Sequence, residues 1–389
     1  GGRSSVNHNT GTFLVHGTST LVIENGFEFT VSGTGFINGW INISSGGTLN
    51  IQNGNNLKLS NLHTNSTVTY NSSAAGVCSP RNGQAYGNVI IANSTSLSPT
   101  FGATVAIKGA LTINAGQTLT MGAVPLVMQG VGTTMFDGPG FLRGGATSTL
   151  SLAGGNGGNN GAITFATGAQ TLRSFSLNFN SGTDYVVINN SLTVTGGNFV
   201  QNGGGIDFSN THLVINGNVS FPPSSAQGAF RGNETASLTL GFSSYRAPVQ
   251  SSIFFNPAAN NLRALRVNTS TLSVTAGNSL VIHDSLSVAT GTLNANNMIT
   301  INSHEFLRGR VGRVGATARI EGLMRMETYI SGGSTGWMNL GVPGVSNQIV
   351  RNWNRDFPMS CALCQFAPIG GTFVSIQAWN EPTSAYVPL

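Results

Sequence analysis

Charged residues are scarce in this sequence and make up only 7% of its 389 residues, against about 25% in an ordinary globular protein. Lysine occurs only at Lys58 and Lys108, and glutamate is also rare. Because these two residue types normally cover the solvent-exposed side of a surface helix, their scarcity excludes a mainly helical fold. Glycine, asparagine, serine and threonine supply the polarity instead, and this composition is typical of strands and turns.

Acidic and basic residues are also widely spaced. No carboxylate lies between Glu28 and Asp137, and Asp184, Asp207 and Asp284 occur singly. The formal net charge is +5, and seven of the 15 arginines follow residue 300. This spacing gives no dense phosphate-binding stripe, so we expect no nucleic-acid partner.

Cysteine is too rare for a disulfide-stapled scaffold, since the chain has only three. Cys361 and Cys364 have the spacing of half a zinc or redox site, but no second CxxC, no HxxxH and no βαβ pattern accompanies them. We therefore predict no metal site and no cofactor. A local disulfide between Cys361 and Cys364 is our preferred interpretation, with two buried thiols as the alternative, and Cys78 is interpreted as a small buried residue.

Long apolar runs are absent, and without about 18 consecutive apolar residues we expect no membrane span. The sequence starts at Gly1 with neither an initiator methionine nor a signal-peptide core. We interpret the chain as processed or excised from a longer one.

What the sequence does contain is a period-two alternation of apolar and polar residues, as in Leu111-Thr-Ile113, Leu192-Thr-Val194 and Leu286-Ser-Val288. Such alternation predicts half-buried strands and argues against disorder. Turns of glycine, asparagine or serine-glycine separate the strands. The sequence is therefore predicted to be all-β.

Internal repetition organises these strands. Residues 140–152 align without gaps on residues 228–240, and the Phe-Leu-Arg-Gly sequence returns at 306–309, which gives offsets of 88 and 77 residues. A second phrase recurs near residues 89, 177 and 265, each time before a Leu-Thr-Ile-like segment. Repeats on this scale indicate stacked structural units, and we expect the three phrases to occupy equivalent places.

Short strands of this kind bury a core only when they stack. Stacking would place Leu192, Val194, Leu213 and Ile215 on one inward face, each contributing about 1.5 to 3 kcal/mol when fully buried. The low charge also fits a parallel stack, in which identical positions lie about 4.8 Å apart and like charges would repel.

The predicted fold is a right-handed parallel β-helix, or β-solenoid, over residues 1–304, built from blocks of about 77 to 88 residues. A small C-terminal β domain is expected over residues 305–389, where arginine becomes more frequent and the Leu-Thr-Ile phrases stop. Tandem β-sandwich repeats are the alternative architecture.

The repeat phrases resemble those of large Bacteroidetes cell-surface proteins exported by the type IX secretion system. Residues 318–330, followed by 336–343 and 379–381, are similar to the segment that links such repeats to a C-terminal sorting domain. The sorting domain itself has no counterpart in the sequence. The resemblance implies secretion, surface display, and adhesion or filament building, and it supplies no catalytic residues. Asp284-Ser285-Leu286 resembles the O-glycosylation signal of that phylum, which makes Ser285 a candidate modification site.

Parallel β-helices also include polysaccharide lyases and hydrolases, which need clustered carboxylates or a carboxylate beside a basic residue. Asp207 and Asp284 are the acids we would test first. The adjacent pairs His283-Asp284 and His304-Glu305 suggest dyads, but neighbours on a strand point to opposite faces. We therefore assign no catalytic residue.

Three further motifs have structural explanations. The Thr-x-Thr sequences at 118–120 and 67–69 resemble those of ice-binding solenoids, but they are isolated. Residues 154–161 imitate a calcium-binding glycine repeat without its aspartate, which favours a turn. The tryptophans could stack on sugars, although core positions are more common for such residues: Trp40, Trp337, Trp353 and Trp379.

The sequence as a whole predicts a non-enzymatic, extracellular structural or adhesive protein of the cell surface. Its expected partners are cell-surface or extracellular polymers, or further copies of itself. Alternatives are a β-helical polysaccharide lyase or hydrolase and an ice-binding solenoid. No ligand-binding residue can be assigned from the sequence.

Overall fold

A computed structural model of the chain describes six segments, at residues 19–31, 40–52, 57–72, 84–97, 104–246 and 251–327. It also gives the backbone of three further strands, Ser5–His8, Gln377–Asn380 and Ala385–Pro388. The chain divides into two compact units, Gly1–Ser331 and Gly332–Leu389.

The first unit is a parallel β-solenoid of about 12 turns, and the described residues contain no helix. Each regular turn contributes strands at three positions, and strands at the same position stack in parallel to form a first, second and third face. This parallel pairing confirms the predicted β-helix and is incompatible with tandem antiparallel sandwiches.

The strands of each face are short, and several longer strands bend from one face into the next. The first face contains Ser5–His8, Glu28–Val31, Thr48–Ile51, Thr67–Tyr70, Asn88–Ile91, Leu111–Ile113, Phe136–Asp137, Asn159–Ile163, Tyr185–Ile188, Gly205–Asp207, Phe230–Gly232, Ile299–Ile301 and Arg325–Met326. The second face contains Thr95–Ser96, Thr118–Thr120, Phe141–Arg143, Leu192–Val194 and Arg310–Val314. The third position holds Thr20–Ile23, Trp40–Ile43, Lys58–Leu62, Ala85–Tyr86, Val105–Ile107, Leu126–Met128, Asn198–Gly203, Ser252–Ile253 and Arg319–Glu321. Bent strands joining the second face to the third are Gly145–Gly154, Thr171–Phe179, His212–Ser220 and Ser237–Tyr245, and two strands pass through all three faces, Phe255–Ala276 and Leu280–Asn294.

The second unit is described only at two strands, Gln377–Asn380 and Ala385–Pro388. They pair antiparallel, with Trp379 opposite Tyr386. The predicted C-terminal β character therefore holds for this hairpin.

The core is a set of ladders in which apolar side chains stack from turn to turn. Leu192 lies opposite Leu213, and Val194 opposite Ile215, and all four are fully buried as the alternation predicted. Each buried side chain of this size contributes about 1.5 to 3 kcal/mol. Seven phenylalanine rings fill the middle of the stack, and the centroids of rings in contact lie 5.7 to 6.2 Å apart: Phe175, Phe199, Phe208, Phe221, Phe230, Phe242 and Phe255.

Side-chain amides and glycines close the turns. Asn278 stacks on the peptide of Phe255, where its Oδ1 accepts a hydrogen bond from the backbone N–H at 2.8 Å and its Nδ2 donates to the carbonyl at 2.6 Å. Asn190 makes the same pair of bonds to Phe165. Gly161 has a positive φ of 99°, and an added Cβ would lie 2.0 Å from the carbonyl oxygen of Phe136. Only glycine fits there.

The repeated phrases do not occupy equivalent places, so that expectation is wrong. Val89 stacks on the first face, Leu177 on the third and Leu265 on the second. The first-face strand four turns after Asn88–Ile91 is Tyr185–Ile188. A shift of 88 residues from Asn88 therefore stops on the third-face strand just before it, one strand short of four whole turns. The phrase fits all three faces because each needs the same alternation of inward and outward side chains.

The parallel stack also continues past residue 304. Arg310–Val314 and Arg319–Glu321 both pair with Leu280–Asn294, and Arg325–Met326 pairs with Ile299–Ile301. The described solenoid therefore extends to residue 326, later than the boundary expected from the rise in arginine content.

Candidate functional site

Three ionisable side chains from different turns meet where the first face bends into the second. Glu234 follows Phe230–Gly232, His283 lies just beyond the first-face part of its strand, and His304 follows Ile299–Ile301. One nitrogen or oxygen atom from each side chain lies within 4.8 Å of the others. We call this group the His–Glu cluster.

The His283 imidazole is the buried member of the cluster, with 3% of its surface exposed. Its Nε2 lies 3.0 Å from Asn261 Oδ1 and 3.9 Å from Glu234 Oε1, while its Nδ1 lies 3.3 Å from Asn302 Nδ2. Burial lowers the pKa of His283, and the charge of His304 acts in the same direction. The carboxylates of Glu234 and Glu327 act in the opposite direction and favour the protonated form.

His304 occupies the outer side of the cluster. Its ring centroid is 6.2 Å from that of His283, in an edge-on arrangement. Its Nδ1 accepts a 3.3 Å hydrogen bond from the backbone N–H of Phe306, whose own side chain is 83% exposed. The other ring nitrogen of His304 thus remains available to the cluster.

Asp284 belongs to a separate ion-pair group beside the cluster. Its carboxylate lies 3.6 Å from Arg263 Nε and 3.4 Å from Arg310 Nη2. The sequence pair His283-Asp284 is therefore split, with the histidine turned inward and the aspartate facing arginines from the turns on either side.

A second charged group lies on the outward side of the first face. Asp207 Oδ2 is 3.6 Å from Arg231 Nε, and the Arg231 guanidinium lies 4.3 Å from the centre of the Tyr185 ring. These residues come from three successive turns. A carboxylate beside a basic residue on an outward sheet is the pattern that a β-helical lyase or hydrolase would require.

The third face carries an open groove lined mainly by residues with neutral polar side chains. Its volume is about 480 Å³, and among the described residues Arg246 is the only charged one that lines it. Asn202 donates a 2.8 Å hydrogen bond to Asn178, so amide side chains stack across adjacent turns. The other lining residues are small or polar: Thr149, Ser174, Ser176, Asn198, Val200 and Ser220. We call this feature the third-face groove.

The remaining candidates from the sequence lie apart from these groups. Ser285 is half-buried on the second face, opposite Arg310 in the next turn. Trp40 is 43% exposed, so the core position predicted for it from the sequence is wrong. Cys361 and Cys364 lie outside the described residues, as do Cys78, Trp337 and Trp353, and only the backbone of Trp379 is described.

The isolated Thr-x-Thr sequences do not stack into a threonine ladder. Thr118 and Thr120 lie opposite Phe141 and Arg143 in the next turn. Thr67 lies opposite Thr48 in the preceding turn but opposite Asn88 in the next, and Thr69 lies between Asn50 and Ile90, so the threonine pair goes no further. An ice-binding array would need the same residue type at these positions in successive turns.

The His–Glu cluster could not be recognised from the sequence because its members are far apart along the chain. The signal that could have found it is positional, since His283 and His304 come one and three residues after Ile282 and Ile301, which lie opposite each other on the first face. The fold and these groups define a parallel β-solenoid with a neutral outer groove and a charged corner. No protein family, curated protein or solved structure was found to match the chain. Within the described residues, there is no helix with the length and apolarity needed to cross a membrane.

Proposed function

We propose that this protein is a non-enzymatic, extracellular structural or adhesive protein that binds an extended polymer along the third-face groove. The observation that carries the proposal is the groove itself, which is open, spans several turns and is lined mainly by residues with hydroxyl and amide side chains. Such groups can donate and accept hydrogen bonds with sugar hydroxyls.

The spacing of the groove supports a polymeric ligand. Adjacent turns of a parallel stack lie about 4.8 Å apart, so equivalent side chains repeat along the solenoid at a fixed interval. Ser174, Asn198 and Asn218 form one such row, in which Asn218 donates a 3.4 Å hydrogen bond to Asn198. Weak contacts repeated along one chain add through effective concentration, and they require no deep pocket.

The surface location rests on the repeat phrases, which are similar to those of Bacteroidetes surface proteins. A rod of stacked turns suits display away from a cell, and it also suits assembly of further copies into filaments. Arg246 at the edge of the groove would favour polymers that carry occasional acidic groups.

Binding to soluble polysaccharides tests the proposal. The panel should contain neutral and acidic polymers of plant, algal and bacterial origin, with retention measured by affinity electrophoresis. Ser176→Glu places a carboxylate in the groove, and we expect it to weaken binding about tenfold or more, as about 1.4 kcal/mol would. Ser287→Glu is the matched control, because Ser287 is a half-buried outward serine on the second face.

The outcomes separate clearly when circular dichroism shows both variants folded. Selective loss of retention in Ser176→Glu supports the groove as the binding surface. Equal behaviour of the two variants, or no retention of any polymer by the natural sequence, contradicts it.

A further inference from the structure

We propose that Glu234, His283 and His304 form a zinc-binding site that ties together turns at the C-terminal end of the solenoid. This inference is independent of polymer binding. It also goes against the sequence-based expectation of no metal site, which considered only ligands spaced closely along the chain.

The ligand types suit zinc. Two imidazoles and one carboxylate are a known set for this ion, with bonds of about 2.0 to 2.2 Å. Harder ions such as calcium prefer oxygen ligands throughout, and soft copper(I) prefers sulfur. A nitrogen-rich set of this kind therefore selects a borderline transition metal.

The geometry needs only small movements. Tetrahedral coordination with such bonds separates neighbouring ligand atoms by about 3.4 Å, and Glu234 Oε1 already lies 3.9 Å from His283 Nε2. The Glu234 side chain is 60% exposed and can move freely. His304 is only half-buried, on the connection that follows Ile299–Ile301. The buried His283 is the fixed member, and the two outer ligands close onto it.

The surroundings of His283 allow the change of tautomer that metal binding requires. Nε2 must lose its proton to bind zinc, so the proton moves to Nδ1, which needs an acceptor. Asn302 supplies one when its side-chain amide rotates by half a turn, so that Oδ1 faces the ring in place of Nδ2. The two orientations have nearly the same shape, so the rotation needs no other movement. Asn261 Oδ1, 3.0 Å from Nε2, then loses this hydrogen bond and moves aside for the ion. Water can take the fourth position, as in other zinc sites with three protein ligands.

His304 needs a comparable adjustment. Its Nδ1 accepts a long, 3.3 Å hydrogen bond from the backbone N–H of Phe306. That bond opens when Nε2 binds the ion, because the ring proton then resides on Nδ1. The exposed loop around Phe306 can accommodate this shift.

Zinc binding to the full chain tests the site, after alkylation of any free cysteines so that thiols do not compete. Isothermal titration with zinc chloride should show one saturable site, and cobalt(II) should give the visible absorption of a tetrahedral complex. The thermal midpoint should rise with zinc and return when a chelator is added, because the ion binds the folded state alone.

Three variants make the assignment specific. Glu234→Gln changes an exposed residue and should weaken zinc binding at least tenfold while leaving the zinc-free thermal midpoint unchanged. His304→Ala should abolish the cobalt spectrum. Glu305→Gln alters the neighbouring exposed carboxylate and should bind zinc like the natural chain.

The proposal is overturned by absence of saturable zinc binding in the natural chain. It is equally overturned when Glu305→Gln loses as much affinity as Glu234→Gln, or when His304→Ala keeps the cobalt spectrum. Selective loss in the Glu234 and His304 variants alone supports it.

Discussion

Asp184 accepts a 2.9 Å hydrogen bond from the side-chain amide of Asn160, although 24 residues separate the two in the sequence. The same carboxylate oxygen accepts backbone N–H groups from Asn156, Gly157 and Gly158 at 2.8 to 3.1 Å. The glycine-rich segment thus surrounds an aspartate from the next turn. Since it offers N–H donors to that carboxylate, it is a nest for an anion and not a calcium loop.

The first prediction concerns this buried carboxylate. Asp184→Asn keeps the shape of the side chain but removes the charge that strengthens four hydrogen bonds, so it should lower the free energy of unfolding by about 2 to 3 kcal/mol. Urea denaturation measures the change. Asp137→Asn, at the exposed end of the first-face strand Phe136–Asp137, is the control and should stay within about 0.5 kcal/mol of the natural chain. Equal stability of the two variants would contradict a structural role for Asp184.

The second prediction compares two phenylalanines that sit in related sequence phrases. Phe230 is 1% exposed among stacked aromatic rings, whereas Phe306 is 83% exposed. Phe230→Ala should therefore cost about 3 to 5 kcal/mol of unfolding free energy. Phe306→Ala should change it by less than about 0.5 kcal/mol. Thermal or urea denaturation of both variants checks the assignment, and a large loss for Phe306→Ala would be inconsistent with the fold.

These two phenylalanines show what the sequence could and could not predict. The alternation around Leu192 and Leu213 was enough to predict strands, inward faces and parallel stacking, because period-two burial is a local property. The alignment of the two phrases pairs Phe230 with Leu307 and Phe306 with Ala229, so it did not predict the environment of either ring. Position in a solenoid depends on how many residues each turn uses.

Turn length varies too much to be read from the sequence. Leu111 and Phe136 stack 25 residues apart, whereas Leu280 and Ile299 stack 19 residues apart. A repeat offset therefore drifts between faces as the chain proceeds. The same drift hid the His–Glu cluster, since its members meet only after the register of several turns is known.

The third prediction concerns stability at high pH. Tyr245 is half-buried and donates a hydrogen bond to the carbonyl of Ser273. Burial raises the pKa of Tyr245 above its ordinary value of about 10. The unfolded chain therefore loses this proton first as the pH rises past about 10, and stability falls by up to about 1.4 kcal/mol per pH unit until the folded-state pKa is reached.

Tyr245→Phe removes this contribution to the pH dependence while keeping the ring. The variant should be slightly less stable than the natural chain near neutral pH, because the hydrogen bond to Ser273 is lost. The difference between the two proteins should shrink above about pH 10. Urea midpoints measured across this range test the sign, and a difference that grows with pH would count against it.

The proposed function is the binding of extracellular polymers without chemical conversion. The most direct measurement incubates the purified chain with plant, algal and bacterial polysaccharides and follows both retention and the appearance of new reducing ends or unsaturated products. We expect retention of at least one polymer with no products. Turnover above about 1 per second, lost on Asp207→Asn or Asp284→Asn, would contradict the claim and identify a polysaccharide lyase or hydrolase.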